Sequence, residues 1–259
     1  MNETSLNLAK NRLNEWMTTT LKEKTDAAQK QVSSPTLMST LSTPAIITSS
    51  STNRDYSGIG KVTLGTTWYW DNVESDSAHD YFFTQSYLQT NPGVAISGYQ
   101  QYRNYNPKIE IDPGYSGVYP SLSGVFVQDA EPGTTSGHST IGLSLTSSGG
   151  VSLGWTTVIP DSSVTLTNPS GYKYRWTEMF SNYYGADATS LFIFKPGVLS
   201  ISSQSSSRNG NTYTLSRVMA DCQNAFDILI DGLPYPAPTG TNSWGHLLNV
   251  RYNGGYLPS

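Results

Sequence analysis

The chain has 259 residues, carries only 13% charged residues, and has a formal net charge of −4 with an isoelectric point near 5.3. A typical soluble domain is about 25% charged, so Ser, Thr, Gly, Asn and Tyr supply much of the polar surface here, as in many extracellular proteins. The acidic balance argues against a nucleic-acid partner. The 17 tyrosines are interleaved with Gly, Ser and Asn instead of Lys and Arg, which excludes the aromatic-on-basic pattern of a single-strand binder.

Targeting signals and cysteine content bear on the compartment. No stretch approaches the ~20 apolar residues of a membrane-spanning helix, and the N-terminus lacks the apolar core of a signal peptide. We expect an extracellular or cell-surface protein whose leader has been removed. Cys222 is the single cysteine, so it cannot form an internal disulfide, and we expect a buried or half-buried thiol.

Two N-terminal segments differ in composition from the rest of the chain. Residues 1–32 are dense in charge and have a helical apolar period, which predicts an N-terminal helix. The apolar positions near that spacing are Leu6, Leu13, Met17 and Leu21. Residues 33–60 are rich in Ser, Thr and Pro and predict a linker, with one short strand at 45–47.

Residues 61–259 have the pattern of an all-β domain. Short alternating segments recur at roughly 8–12 residues, separated by Gly, Pro and Asn turns. This pattern is typical of an antiparallel β-sandwich. The sequence therefore predicts a β-sandwich preceded by a helix and a Ser/Thr-rich linker.

The clearest hairpin spans residues 139–159, with its turn in the segment 147–150. Each strand alternates apolar with small polar residues, so each has one apolar face. The apolar positions are Ile141, Leu143, Leu145, Val151, Leu153 and Trp155. Two alternatives stay open: an ordinary sandwich hairpin packed on the core, or a membrane-inserting hairpin with Ser144, Thr146, Ser152 and Thr156 facing a lumen.

An acidic cluster lies in the segment 71–80. Carboxylates in a loop could hold Ca²⁺, with Asp71, Glu74, Asp76 and Asp80 as candidate ligands. The spacing of an EF-hand is absent, so a solvated acidic loop is the alternative. We expect no other cofactor.

Glu110 and Asp112 share one face of a predicted strand. Two carboxylates at the right separation could hydrolyse a glycosidic bond, whereas an exposed strand face before a turn requires no catalysis. The chain has no GxSxG, HExxH, CxxC or phosphate-binding loop. We therefore expect a protein that is not an enzyme.

Aromatic side chains are the best candidates for ligand binding, because rings stack on sugars or lie at lipid headgroups while their polar atoms stay hydrated. The candidates are Trp68, Trp70, Tyr99, Tyr102, Tyr105, Tyr115 and Tyr119. The alternative is that the tryptophans belong to the core.

Residues 139–180 resemble the leukocidin/hemolysin type of β-pore-forming proteins. The similarity is carried by a Gly/Ser-alternating stretch that leads to Val158-Ile159-Pro160-Asp161, and by the strand with Trp176 and Phe180 four residues apart. The resemblance implies a secreted β-sandwich that oligomerises and inserts a β-hairpin into membranes. The segments 1–32 and 33–60 fall outside the family pattern.

Three functions follow in order of expectation. The first is a secreted structural or adhesive protein that binds a cell surface, a glycan or other copies of itself, as a homo-oligomer. The second is a pore-forming protein that inserts the hairpin 139–159. The third is a hydrolase acting on glycans through Glu110 or Asp112.

Overall fold

A computed structural model describes residues 45–71, 79–97, 101–122, 124–131, 135–136, 144–145, 151–152, 162–169, 171–180, 182–203, 210–237, 239 and 243–251. The predicted helix over 1–32 lies outside them. Within these ranges, no helix combines the length and the hydropathy that a membrane span requires.

Most of the described residues form antiparallel strands, which confirms the predicted all-β fold. The strands are β1 Ala45–Tyr56, β2 Gly60–Asp71, β3 His79–Pro92, β4 Tyr102–Asn104, β5 Lys108–Asp112, β6 Phe126–Glu131, β7 Thr135–Ser136, β8 Ser144–Leu145, β9 Val151–Ser152, β10 Ser162–Thr167, β11 Tyr174–Phe180, β12 Phe192–Phe194, β13 Gly197–Ser203, β14 Thr212–Asp221, β15 Phe226–Ile230, β16 Leu233–Pro236 and β17 Ser243–Arg251. Two short helices are α1 Gly93–Ser97 and α2 Ala186–Thr189.

The strands form two large sheets and two small ones. The front sheet has the order β1-β2-β3-β13-β6, with β12 also paired to β3, and the back sheet has the order β17-β14-β5-β11-β10-β7. The small sheet has the order β16-β15-β4, and β8 pairs with β9 alone. Each large sheet therefore has two edges, and the first and last strands of the chain's described part lie at one edge of each.

The front and back sheets enclose a common core. Val62 and Leu64 on β2 belong to the same buried cluster as Trp176 on β11 and Val218 on β14. Burying each such side chain contributes roughly 1.5–3 kcal/mol to folding. The indole nitrogen of Trp68 donates to the Ser216 hydroxyl across the sheets at 2.6 Å. The core therefore confirms the predicted sandwich.

Strand β1 occupies the second half of the segment predicted as a linker. The sequence predicted only a short strand at 45–47, but the strand continues to Tyr56 and pairs with β2 along its length, from Ala45 opposite Trp70 to Tyr56 opposite Gly60. β1 lies at a sheet edge, and most of its residues are exposed or half-buried. Residues 48–55 of β1 are all polar, so both faces of that stretch are polar, and a polar edge strand resembles a linker in composition.

Candidate functional site

The chain leaves the back sheet and returns to it at one place on its edge. β7 is the edge strand and pairs with β10, with Thr135 opposite Val164 and Ser136 opposite Ser163. Residues 137–161 therefore connect two paired neighbours in one sheet. We call residues 137–161 the excursion, and the paired residues 135–136 and 163–164 its base.

A second pairing occurs within the excursion. β8 and β9 pair antiparallel, with Ser144 opposite Ser152 and Leu145 opposite Val151. A ladder continued from the base would place residue 154 opposite Leu145, three residues beyond the observed partner. The β8–β9 pairing is therefore offset by three residues from the pairing at the base. Its position agrees with the predicted hairpin.

The register pairs like with like in the described part of this hairpin. An apolar residue stands opposite an apolar residue, and a serine opposite a serine. Residues directly opposite in an antiparallel ladder share a face. The other candidate residues for membrane insertion, Ile141, Leu143, Leu153 and Trp155, lie outside the described residues.

The small sheet ends in a tight hairpin that the sequence reading missed. The turn between β15 and β16 has positive φ at both central residues, 52° at Asp231 and 80° at Gly232. This is the conformation of a two-residue hairpin turn, in which Asp-Gly is a favoured pair. The Asp-Gly pair between apolar residues was the signal that could have revealed it.

The hairpin tip presents apolar side chains to solvent. Ile230 and Leu233 flank the turn and are 49% and 59% exposed, and Tyr235 is also exposed. Tyr184, 67% exposed, adjoins the same turn, because a Cβ on Gly232 would lie 3.8 Å from the Tyr184 hydroxyl. An exposed group of this kind suits contact with an apolar partner or a lipid surface.

A buried arginine and a buried aspartate lie on the small sheet that carries this tip. The guanidinium of Arg103 lies 5.3 Å from the ring centre of Tyr184, and Arg103 stands opposite Asp227 in the β4–β15 ladder. Burial raises the pKa of Asp227 to about 7, against the lowering effect of the Arg103 charge. Because this pKa is about 7, the charge of the buried Asp227 carboxyl changes with pH near neutrality.

The two carboxylates predicted for glycan hydrolysis lie on the outer face of the back sheet, at its centre. Glu110 stands opposite Arg175 and its carboxylate lies 2.9 Å from the Arg175 guanidinium. Lys173 and Arg217 also contact Glu110, at 3.2 and 3.4 Å. Three cations therefore surround this one carboxylate.

The Arg217 guanidinium, which contacts Glu110, also lies 3.6 Å from the Asp112 carboxylate. Burial raises the pKa of Asp112, and the charges of Arg217 and Lys173 oppose that rise. The Arg217 guanidinium also lies 4.0 Å from the ring centre of Tyr115. Both carboxylates are thus held in ion pairs on the sheet, and a role in glycan hydrolysis stays a prediction.

The candidate aromatic residues that the structure describes lie in different surroundings. Trp68 is buried in the core, which is the alternative that the sequence left open, and Trp70 and Tyr102 pack against the core. The Tyr105 ring lies 6.0 Å from that of Tyr183, Tyr119 is exposed, and Tyr99 lies outside the described residues. No shared pocket follows from these positions among the described residues.

The candidate Ca²⁺ ligands are only partly described. Asp71 ends β2 opposite Tyr81, and Asp80 is buried in β3, whereas Glu74 and Asp76 lie outside the described residues. In the described part of the chain, no three His, Cys, Asp or Glu side chains form a group that could hold a metal ion. A calcium site at 71–80 stays a prediction.

Comparison with known proteins gave structural matches only. No family model matches the chain, and no curated protein does. The chain is similar to the NetB toxin of Clostridium perfringens in its membrane-inserted form, with a TM-score of 0.33 and 10% identity over 78% of this chain and 93% of that one. A structure described as a pore forming protein matches with the same TM-score and identity over 80% and 94%.

Both matches belong to the class indicated by the resemblance in residues 139–180. A TM-score of 0.33 is too low to transfer an activity from either protein. What this chain does must be inferred from its own geometry.

Proposed function

We propose that the chain is a membrane-inserting, pore-forming protein, and that the excursion is its inserting hairpin. The observation that supports this most is the pairing of both ends of the excursion at one sheet edge, together with a second pairing near its middle. A segment anchored in this way can leave the edge as a unit, because the rest of the back sheet is held by other strands.

The length of the excursion matches a membrane-crossing hairpin. From residue 137 to Leu145 the first arm has 9 residues, and from Val151 to residue 161 the second has 11. A transmembrane β-strand needs about 9–11 residues. The five residues 146–150 then form the connection at the far side of the membrane.

The register supports one apolar face on the inserted hairpin. Continuing the β8–β9 ladder places Leu143 opposite Leu153 and Ile141 opposite Trp155. With Leu145 opposite Val151, all six apolar candidates then share the lipid-facing side, and Ser144 and Ser152 share the other. A single hairpin cannot close a barrel, so insertion requires several copies, in keeping with the predicted homo-oligomer.

The hairpin tip at Ile230 and Leu233 would provide the first membrane contact. Its exposed apolar residues and Tyr184 resemble the mixed apolar and aromatic composition found at membrane interfaces. Such a protein would act outside the cell that makes it. The alternatives are a structural or adhesive function and glycan binding. We expect no enzymatic activity in either case.

Dye release from liposomes tests the proposal. We expect monomers in solution, oligomers on liposomes, and leakage that Leu153→Arg abolishes, since Arg on the lipid face of a strand costs roughly 2–4 kcal/mol near the bilayer centre. Ser152→Arg is the matched control: it adds the same charge one residue away on the lumenal face and should retain leakage.

Light scattering with and without liposomes decides between the alternatives. Oligomers that form without lipid, with no leakage at any lipid composition, would favour the structural or adhesive function. Equal leakage from both arginine variants would overturn the assignment of faces.

A further inference from the structure

A carboxyl group lies in the core beside the base of the excursion. Glu178 lies on the buried face of β11, between Trp176 and Phe180. It is 1% exposed, and neither carboxyl oxygen has a hydrogen-bond partner among the residues that the structure describes. Glu178 belongs neither to the ion pairs around Glu110 nor to the hairpin tip at Ile230 and Leu233.

Glu178 occupies the strand that holds the base. It stands opposite Val164 on β10, and Val164 stands opposite Thr135 on β7. Its backbone N–H donates to the Pro107 carbonyl at 3.1 Å. The chain therefore places an unpartnered carboxyl two strands from the point where the excursion leaves the sheet.

The charged surroundings of Glu178 disfavour its ionised form. Asp187 on α2 is the neighbour that raises its pKa further, after burial itself, and together they hold the pKa well above the usual range. Val164 on β10 and Thr135 on β7 carry no charge. Arg103 and Asp227 lie opposite each other on the neighbouring small sheet, where the Arg103 charge lowers the pKa of Asp227 and its guanidinium lies over the Tyr184 ring.

We propose that a proton on Glu178 controls how firmly the base of the excursion is held. The neutral carboxyl packs in the core and keeps β11, β10 and β7 together. The ionised carboxyl draws water into the core face of β11 and loosens the base, which favours release of the excursion. This inference rests on the proposed insertion, and it adds the condition under which insertion is favoured.

The direction of the pH effect follows from linkage. We call the base closed when β11, β10 and β7 are held together and open when the base is loosened. Glu178 has an ordinary carboxyl pKa near 4.5 in the open state and a higher pKa in the closed state. The closed state therefore binds more protons between these values. Closure is therefore strongest below about pH 4.5 and weakens as the pH rises through the closed-state pKa. Release should be favoured at neutral pH and opposed by acid.

Amide hydrogen exchange without lipid provides the test. Protection of β10 amides, residues 162–167, is measured from pH 4.5 to 8 and corrected for the intrinsic exchange rate with an unstructured peptide. In the native chain we expect the opening equilibrium to rise at least about tenfold across this range, since each pH unit between the two pKa values corresponds to tenfold.

Two variants of the same group isolate Glu178. Glu178→Gln and Glu178→Leu should both remove the pH dependence and keep the protection that the native chain shows in acid. Asp227→Asn is the matched control, because burial places the pKa of Asp227 at about 7, inside the range scanned. This control should keep the native pH dependence of the β10 amides.

The outcomes separate this inference from the proposed function. A pH dependence that survives in both Glu178 variants, or disappears in Asp227→Asn, would overturn the proton control. If the exchange results are as expected but no liposome composition gives leakage, the proton control stands and pore formation fails. If leakage occurs at equal rates at pH 5 and 8 and β10 exchange does not change with pH, pore formation stands and the proton control fails.

Discussion

The two edges of the sandwich are built in different ways. At one edge, side chains join the front sheet to β17 of the back sheet. His246 on β17 bonds Thr52 on β1 and Thr66 on β2 through its two ring nitrogens, each at 3.1 Å. The guanidinium of Arg54 on β1 also lies 5.6 Å from the ring centre of Trp244 on β17. At the other ends of the sheets are β6 and β7. There the chain itself passes from one sheet to the other, and the excursion departs.

The two edges also differ in their response to acid. Burial lowers the pKa of His246, so acid must charge a buried ring and weakens the β1–β17 edge. Burial and Asp187 raise the pKa of Glu178, so acid neutralises a buried carboxyl and strengthens the region beside β10 and β7. The segment that we propose to insert thus departs from the edge for which the contacts described include no such side-chain bridge.

The largest expected effect is the loss of the bridged edge. In Gly245→Ala, the added Cβ would collide with the backbone carbonyl oxygen of Val218 on the paired strand. β17 must then separate from β14, which we expect to cost about 3 kcal/mol or more of unfolding free energy. Urea unfolding measures this, with Leu247→Ala, an exposed residue of the same strand, as a control that should change little.

A smaller change should remove the bridge and keep the strand. His246→Ala leaves the hydroxyls of Thr52 and Thr66 without their ring partner and opens a small cavity, and we expect a loss of about 2 kcal/mol at pH 7.5. An unchanged urea midpoint would show that the imidazole contributes nothing to this edge.

The pH profile of the same variant sharpens the contrast between edges. The unfolded histidine has a pKa near 6.5 and the folded one a lower value, so the unfolded state binds more protons between them and stability falls as the pH drops below about 6.5. His246→Gln should lose this acid-dependent part. A native-like decline in the variant would assign the acid sensitivity to other groups.

Sequence reasoning recovered the sandwich and the position of the hairpin because alternation reports which residues face a core. It missed the extent of β1, because residues 48–55 are all polar. It placed Trp68 among binding candidates because burial by a second sheet is a tertiary property. Glu178 gave no signal, since a glutamate between Trp176 and Phe180 is unremarkable until the fold encloses it. The ion pairs of Glu110 likewise depend on strands far apart in the chain.

A change at the centre of the back sheet should affect both edges alike. Glu110→Gln removes one carboxylate charge from among Lys173, Arg175 and Arg217 and leaves the cations to repel one another. Because the cluster is partly exposed, we expect a loss of about 1–2 kcal/mol, smaller than for a fully buried pair. Exchange protection should fall for both β17 and β10 amides; a fall at one edge only would mean that the sheet does not transmit the loss.

The smallest expected effect comes from the most exposed member of that cluster. The Arg175 side chain is 44% exposed, although it contacts Glu110 at 2.9 Å, and a surface ion pair contributes about 0.2–1 kcal/mol. Arg175→Ala should therefore lower stability within that range, and the loss should shrink further in 1 M salt, where charges are screened beyond about 3 Å. Arg175 stands opposite Thr167 on β10 through its backbone, which the substitution leaves in place. The pH dependence of β10 exchange should therefore be unchanged, because we assign that dependence to the buried carboxyl of Glu178 on the opposite face of β11.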